Sequence, residues 1–565
     1  MKKLLLTTTC ALLGACALHA EPVWLGTLEV DSLQALQSGV EAFCKAAQIP
    51  LPIPPTADLV KGILPLASPD AAISLKDPVR VFVVGDGDQP LSEPGLVFSV
   101  ALPPNAKALQ DQLAQLYGAR REAGNVVTFS TPGNPGVPPD LLLSIADGNK
   151  ALLASSKEAL AWVQQQTKLD AFLPMPGNQM VRMCVNVKHA TGMMPPLPTG
   201  QPNPLAAILG DVDYLSVAIN PDAKALALSY GIRAKAGSVL GTVLDAFKPP
   251  EAALWNGLPA DALFAYAGPE SKSEDAQKFV KAYLQQDVPL DAVRAKLEKA
   301  LTGDVVRYLV PTQDKKGLRL IDVNPVKDAA AVKEIFKTLD QSETPGVKFK
   351  KEEGREVGGQ TIERYSMTID MATLVQNAMQ QGAAANGVDP RVIMGDPNVV
   401  MGGTLLTMLA KSIICEFTVK DNYAISAISP AGATDNWLPT LPFPAAATAL
   451  DKKIAALDPA AKTLLGASEV RLMPLLKQIV SMFPNVKPQH LNLFPATTEA
   501  LQFWTTRAAD NTLVTTIRVP ASEVAAVVKM TQQDMSVFQE LFVTIFAAQM
   551  QQMMMPPAAV PPPNF

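Results

Sequence analysis

The sequence predicts an α+β fold: a tandem duplication of one module, each copy an antiparallel sheet packed against helices, followed by a C-terminal helix. Three observations lead there. Val79-Arg80-Val81-Phe82-Val83-Val84 is answered by Val306-Arg307-Tyr308-Leu309-Val310. Each run leads through a charged turn and a glycine (Gly95, Gly317) to a proline at the mouth of a helix (Pro104, Pro325). Further on, Asn149-Lys150-Ala151-Leu152 is answered by Asn422-Tyr423-Ala424-Ile425, and each leads to a tryptophan (Trp162, Trp437). Finally, Leu513, Thr515 and Ile517 interleave with Val514 and Thr516, the alternation of an antiparallel strand with one covered face.

The elements follow in order. In the first copy Val23–Leu28 reads as a strand, and Asp31 or Ser32 caps a helix with Leu33, Leu36, Val40 and Phe43 on one face. In the second copy Leu263–Ala267 is the strand. Ser273 caps its helix, whose face is Ala276, Phe279, Val280, Tyr283 and Leu284. A second short helix comes next in each, Ala57–Leu66 and Leu290–Leu301, and then the quoted strands. Helices at Ala106–Leu116 and Asp328–Leu339 precede strands at Val126–Phe129 and Thr361–Tyr365. The copies close alike: Tyr214–Ile219, Leu226–Arg233 and a helix from Ser238 match Leu501–Thr506, Leu513–Arg518 and a helix from Ser522. Arg80/Arg307 and Arg233/Arg518 are then the polar residues at equivalent places, with strand arginines facing either solvent or an anionic ligand.

This gives a leader at 1–20, a first repeat at 21–250 and a second at 251–535, divided near Lys248-Pro249-Pro250. An alanine-, glutamine- and methionine-rich insertion at about 370–411 belongs to the second copy alone. Residues 536–565 form an amphipathic helix (Phe538, Leu541, Phe542, Ile545, Phe546) and a proline-rich, disordered tail. That helix either docks on the core or offers its methionines to a partner or membrane surface.

The leader is an export signal. Lys2 and Lys3 precede the apolar stretch Leu4–Ala17, which as a helix rises only about 21 Å, short of a ~30 Å hydrocarbon core. Two processing outcomes stay open. Leu18-His19-Ala20 ahead of Glu21 resembles a signal-peptidase site, with cleavage between Ala20 and Glu21. Leu13-Gly14-Ala15-Cys16 fits a lipobox, in which Cys16 is acylated. The expected location is therefore the periplasm or cell envelope of a Gram-negative-type bacterium, as an outer-membrane lipoprotein if Cys16 is the processed residue.

A net charge of −5 repels phosphate backbones and argues against nucleic acid as a partner. Cys44, Cys184 and Cys415 remain after the leader, an odd count without framework spacing. They read as small buried hydrophobes, with a Cys184–Cys415 bridge the sharper alternative. His189 and His490 are the only histidines beyond the leader, in dissimilar contexts. No His-Glu-x-x-His, Cys-x-x-Cys pair, phosphate-cradling loop or Gly-x-Ser-x-Gly elbow occurs. Asp86-Gly87-Asp88 reads as a turn, because a proline and a leucine stand where a calcium loop needs oxygen ligands. Trp162 and Trp437 read as core. The sequence thus implies no catalytic, cofactor or metal residues.

With Leu258-Pro259-Ala260-Asp261 preceding a strand, and helices alternating with antiparallel strands, the layout resembles an uncharacterised family of exported bacterial envelope proteins, a domain of unknown function. The resemblance implies no catalytic residues. The expected function is a non-catalytic envelope protein that binds or scaffolds an envelope partner. The alternative is a periplasmic carrier of lipid or another apolar ligand, touching membrane through a Cys16 lipid or the C-terminal helix. An unrecognised hydrolase is the third.

Overall fold

The structure is a computed structural model. It describes residues 22–50, 74–86, 95–102, 119–121, 126–130, 140–146, 150–165, 179–190, 204–259, 261–270, 272–284, 292–315 and 317–341. Beyond these it describes 347–369, 413–430, 436–441, 443, 449–458, 463–483, 485–497, 499–508, 512–533, 536–541 and 543–544. The leader, the Ala57–Leu66 and Ala106–Leu116 helices, the 370–411 insertion and the proline-rich tail lie outside the described residues.

The expected fold class is overturned. Among the described residues strand exceeds helix, 42% to 35%, and the dominant feature is a large antiparallel sheet of 20 strands rather than helix-packed α+β halves. The sequence reading undercounted strands for a physical reason. Asp140–Ala146 is a nearly continuous apolar run and Leu464–Val470 is built on small residues, so neither alternates cleanly, while Val347–Lys351 alternates over only five residues, three of them lysine. The single covered face is overturned too. In Lys150–Ala154 four successive residues are buried, so both faces of that strand are packed.

The chain divides into two units, the first running through Asp245 and also taking in Thr506–Ala521. Its first strands are β1 (Pro22–Val30), β2 (Val79–Asp86), β3 (Gly95–Ala101), β4 (Ala119–Arg121) and β5 (Val126–Ser130). They are followed by β6 (Asp140–Ala146), β7 (Lys150–Ala154), β8 (Val181–Asn186), β9 (Val212–Pro221) and β10 (Ala225–Ala234). Antiparallel ladders set them in the order β4-β5-β6-β7-β3-β2-β1-β8-β9-β10. Leu513–Pro520, the last strand of the chain, completes the order against β10. Its Thr516 hydroxyl meets that of Ser229 at 2.8 Å.

Two helices cover opposite faces of this unit. In α1 (Leu33–Ala46) the Ser32 side chain accepts from the Ala35 amide at 3.1 Å, settling which residue caps it. Leu33 packs with Val30, Val79, Val100, Ala151 and Leu153. On the other face, α2 (Lys157–Gln165) lays Ala159, Leu160 and Val163 on Phe82, Val84, Val97, Leu152 and Ala154.

The second unit holds β11 (Phe264–Pro269), β12 (Asp304–Pro311), β13 (Leu318–Pro325), β14 (Val347–Lys351), β15 (Arg355–Val357) and β16 (Gln360–Ile369). It continues with β17 (Ile413–Lys420), β18 (Tyr423–Pro430), β19 (Leu464–Val470) and β20 (Leu501–Arg507). The final strand, Leu513–Pro520, is then β21. The order here is β14-β16-β17-β18-β13-β12-β11-β19-β20. Over nine strands this repeats the neighbour order that the first unit shows from β4 to β9, with β15 as an extra short strand on β16. Its helices include α3 (Ser273–Leu284), α4 (Ala292–Ala300), α5 (Ala329–Lys337), α6 (Leu450–Leu457) and α7 (Ala521–Gln532). Leu450 and Ile454 of α6 pack on Tyr308, Ile321, Ile425 and Ala427, while Val332 and Phe336 of α5 pack with Cys415, Val419 and Ala424 from the other side.

The ladders correct one expected equivalence. Matching Ala151-Leu152 to Ala424-Ile425 carries Ser99 onto Val323 and Arg80 onto Val306 through the paired strands. Arg307 therefore answers Val81 and not Arg80. One residue along a strand is the opposite face.

Candidate functional site

Of the processing residues, Cys16, Ala20 and Glu21 all lie outside the described residues. Asp86 ends β2, with Gly87 and Asp88 also outside. Among the described residues no group of three or more His, Cys, Asp or Glu could hold a metal ion. No helix among them is long and apolar enough to cross a membrane. Cys44, Cys184 and Cys415 are each buried, and no Cys184–Cys415 bridge is formed. Burial pushes the Cys415 thiol up to about 12, with the Glu416 charge adding to the rise, which leaves it unreactive near neutral pH. Trp437 is buried in the second unit's core and Trp162 packs against a core of the first.

The most conspicuous charged group in the first unit is Glu29, whose side chain is 1% exposed. Arg80 Nε donates to its Oε2 at 2.5 Å, and Arg182 donates to its Oε1. The three residues sit side by side on β2, β1 and β8. Both carboxylate oxygens accept from guanidinium donors, and with the side chain 1% exposed solvent hardly reaches them. The ladder positions answering Arg80, Glu29 and Arg182 in the second unit are Val306, Ala267 and Ala467, all buried and apolar.

The second unit carries its own carboxylate between arginines elsewhere. Glu416 on β17 accepts from Arg355 Nε at 2.5 Å and from its terminal nitrogen at 2.8 Å, with Arg364 at 3.6 Å. This bidentate pairing holds β15 against the sheet. Arg307 is committed as well, donating to both oxygens of Asp322 at 2.7 and 2.8 Å. Arg233 lies over the Tyr214 ring, 5.6 Å from its centroid.

His490 is fully buried. Its Nδ1 accepts from the Lys487 amide at 3.3 Å, which leaves the ring proton on Nε2, 3.5 Å from a Glu540 oxygen. No nucleophile or second base joins it among these contacts. The side chain of His189 lies outside the described residues. Glu523, near the start of α7, accepts from the Thr497 hydroxyl at 2.5 Å. Burial raises its carboxyl above the usual value against the Thr497 and Met473 hydrogen bonds, and Glu499 adds to the rise.

The surface feature that stands out is a sheet face in the first unit. Strands β8, β9, β10 and β21 align three cross-strand rows: Val181-Ile219-Leu228-Ile517, Met183-Val217-Tyr230-Thr515 and Val185-Leu215-Ile232-Leu513. No residue in them is charged. Met183, Ile219, Tyr230 and Ile232 are 36–39% exposed. On the reverse face stand Ala218, Ser229 and Thr516 in one row and Ser216, Gly231 and Val514 in the next, and all of these are buried. The usual polarity is inverted, with large apolar residues outward and small or hydroxylated ones inward. Sequence reasoning detected the alternation on β21 and expected one covered face, without fixing which side that is. The available signal was side-chain size, since Ser216 and Ala218 on β9 and Ala227, Ser229 and Gly231 on β10 alternate with the large residues.

Searches against family models, curated proteins and solved structures found no match to the chain.

Proposed function

We propose that this chain is an exported, non-catalytic protein of the bacterial cell envelope that binds or scaffolds a partner through the outward apolar face of β8, β9, β10 and β21. The face carries the reading. An uncharged patch containing tyrosine, methionine and branched aliphatics has the composition of an interface core, and contiguous exposed apolar area of this kind marks an interaction site. The charged clusters favour binding over catalysis, because Glu29 and Glu416 both spend their oxygens on arginine. Export rests on the Lys2-Lys3 leader, with processing at Ala20/Glu21 or at Cys16.

The test is to place a photocrosslinking residue, p-benzoylphenylalanine, at Tyr230 in the full chain in envelope-forming cells. Illumination should yield a discrete adduct heavier than the chain itself, and its absence would remove the reading. Solvent extraction of the purified chain should release no stoichiometric lipid. Recovered lipid would move the assignment to the carrier.

A further inference from the structure

We infer that the partner on this face is a second copy of the same chain, packed sheet against sheet about a two-fold axis. The inference rests on the binding reading above and names its partner.

Hydrogen bonding excludes one mode of association. Strands β8, β9 and β10 are each paired on both sides, so their backbone groups are consumed and a peptide cannot join as an added strand. Recognition must therefore run through side chains standing off the sheet. A flat, twisted apolar sheet face is matched best by another such face, with the two sheets about 10 Å apart.

Charge selects the occupant. An isologous interface requires a surface that tolerates itself, and three rows without a charged residue bring no like charges together. A membrane surface is less well matched. The arginines in these strands, Arg182, Arg233 and Arg518, alternate onto the reverse face, and the chain's net charge of −5 opposes an anionic leaflet.

Area sets the strength. Val181 packs against the core beneath α1 and Leu513 is only 9% exposed, so the open part of the face centres on Met183, Ile219, Tyr230 and Ile232. At 36–39% open these four expose on the order of 300 Å² per copy. Two copies would then bury about 600 Å² from these side chains, the size of a weak, transient contact. That size fits a reversible dimer.

The experiment is sedimentation velocity of the full mature chain up to about 100 μM, beside the double variant Tyr230→Lys/Ile232→Lys and the single variant Met183→Glu. All three positions are 37–39% exposed, so circular dichroism and thermal melts should match the parent. The parent should dimerise, and the double variant should weaken association by about 30-fold or more. Met183→Glu gives a second reading should the double variant fail to fold. A parent that stays monomeric at the top concentration overturns the inference, as does a dimer that the variants leave intact. A monomeric parent that floats with anionic phosphatidylglycerol vesicles, while the variants do not, overturns it in favour of a lipid surface. A monomeric parent that still crosslinks through position 230 to a different protein defeats the inference and leaves the binding reading standing. No adduct at all defeats both.

Discussion

Glu29 is a buried charge that the fold tolerates because two guanidiniums reach it. Such arrangements are weak stabilisers compared with a packed apolar cluster, yet breaking one leaves an uncompensated charge. The second unit displays the apolar version at the same ladder positions, Val306, Ala267 and Ala467. Glu29→Ala alone should lower the unfolding free energy by about 3 kcal/mol, read from urea denaturation. The triple variant Glu29→Ala/Arg80→Val/Arg182→Ala, which copies the other unit, should recover most of that loss. Equal losses in both would mean the arginines contribute more than pairing. Glu523 gives a pH test of opposite character. A carboxyl raised on folding favours the fold below its unfolded pKa of about 4.3, and this contribution is lost as pH rises through the folded value. Glu523→Gln should therefore raise the melting temperature at pH 7, with the gain shrinking toward pH 4.

Helix ends and strand bulges show what could be read from the sequence. A cap at Asp31 or Ser32 was legible because a short side-chain oxygen before an apolar periodic run has few other uses, and Ser32 fills the place. Asp328, expected as the first residue of its helix, caps α5 instead, accepting from the Ala331 amide at 2.9 Å. Ser273 was assigned the same role, yet the structure gives the cap to a distant residue. Glu298 on α4 accepts from the Ser273 hydroxyl at 2.5 Å and from its amide at 2.8 Å. Burial pushes the Glu298 carboxyl up, but the Ser273 and Arg294 contacts outweigh it and leave the group below its usual value. No local pattern could reveal a partner 25 residues away. The β1 bulge between Trp24 and Gly26 was equally silent. At Gly26 an added Cβ would stand 2.7 Å from the Cys184 carbonyl oxygen, closer than backbone allows. Gly26→Ala should cost roughly 1–3 kcal/mol by the same denaturation assay, whereas Gly210→Ala, with open space around it, should cost less.

Across the whole molecule, element order was more legible than fold class. Matched motifs placed many strands correctly along the chain, but counting strands by alternation missed β6 and β19, which have no clean alternation, and β14, whose alternation lasts only five residues. The face of the candidate site failed for a related reason: hydrophobicity states which residues share a side of a strand, not which side meets water. Linear division also left Thr506–Ala521 with the second half, although it belongs to the first unit. A fragment of residues 22–250 should therefore melt lower, or aggregate more, than the same fragment carrying 506–521 through a flexible linker. Light scattering during a thermal ramp separates the two.

The hydroxyls of Ser229 and Thr516 meet across 287 positions of chain. A polypeptide made in order from its N-terminus presents β10 long before its neighbour β21 exists. Until that later stretch is delivered, the strand's free edge stays open to pairing with the wrong chain. A nascent molecule of this design needs either a holding chaperone or slow closure of the first unit, and its errors should gather at β10.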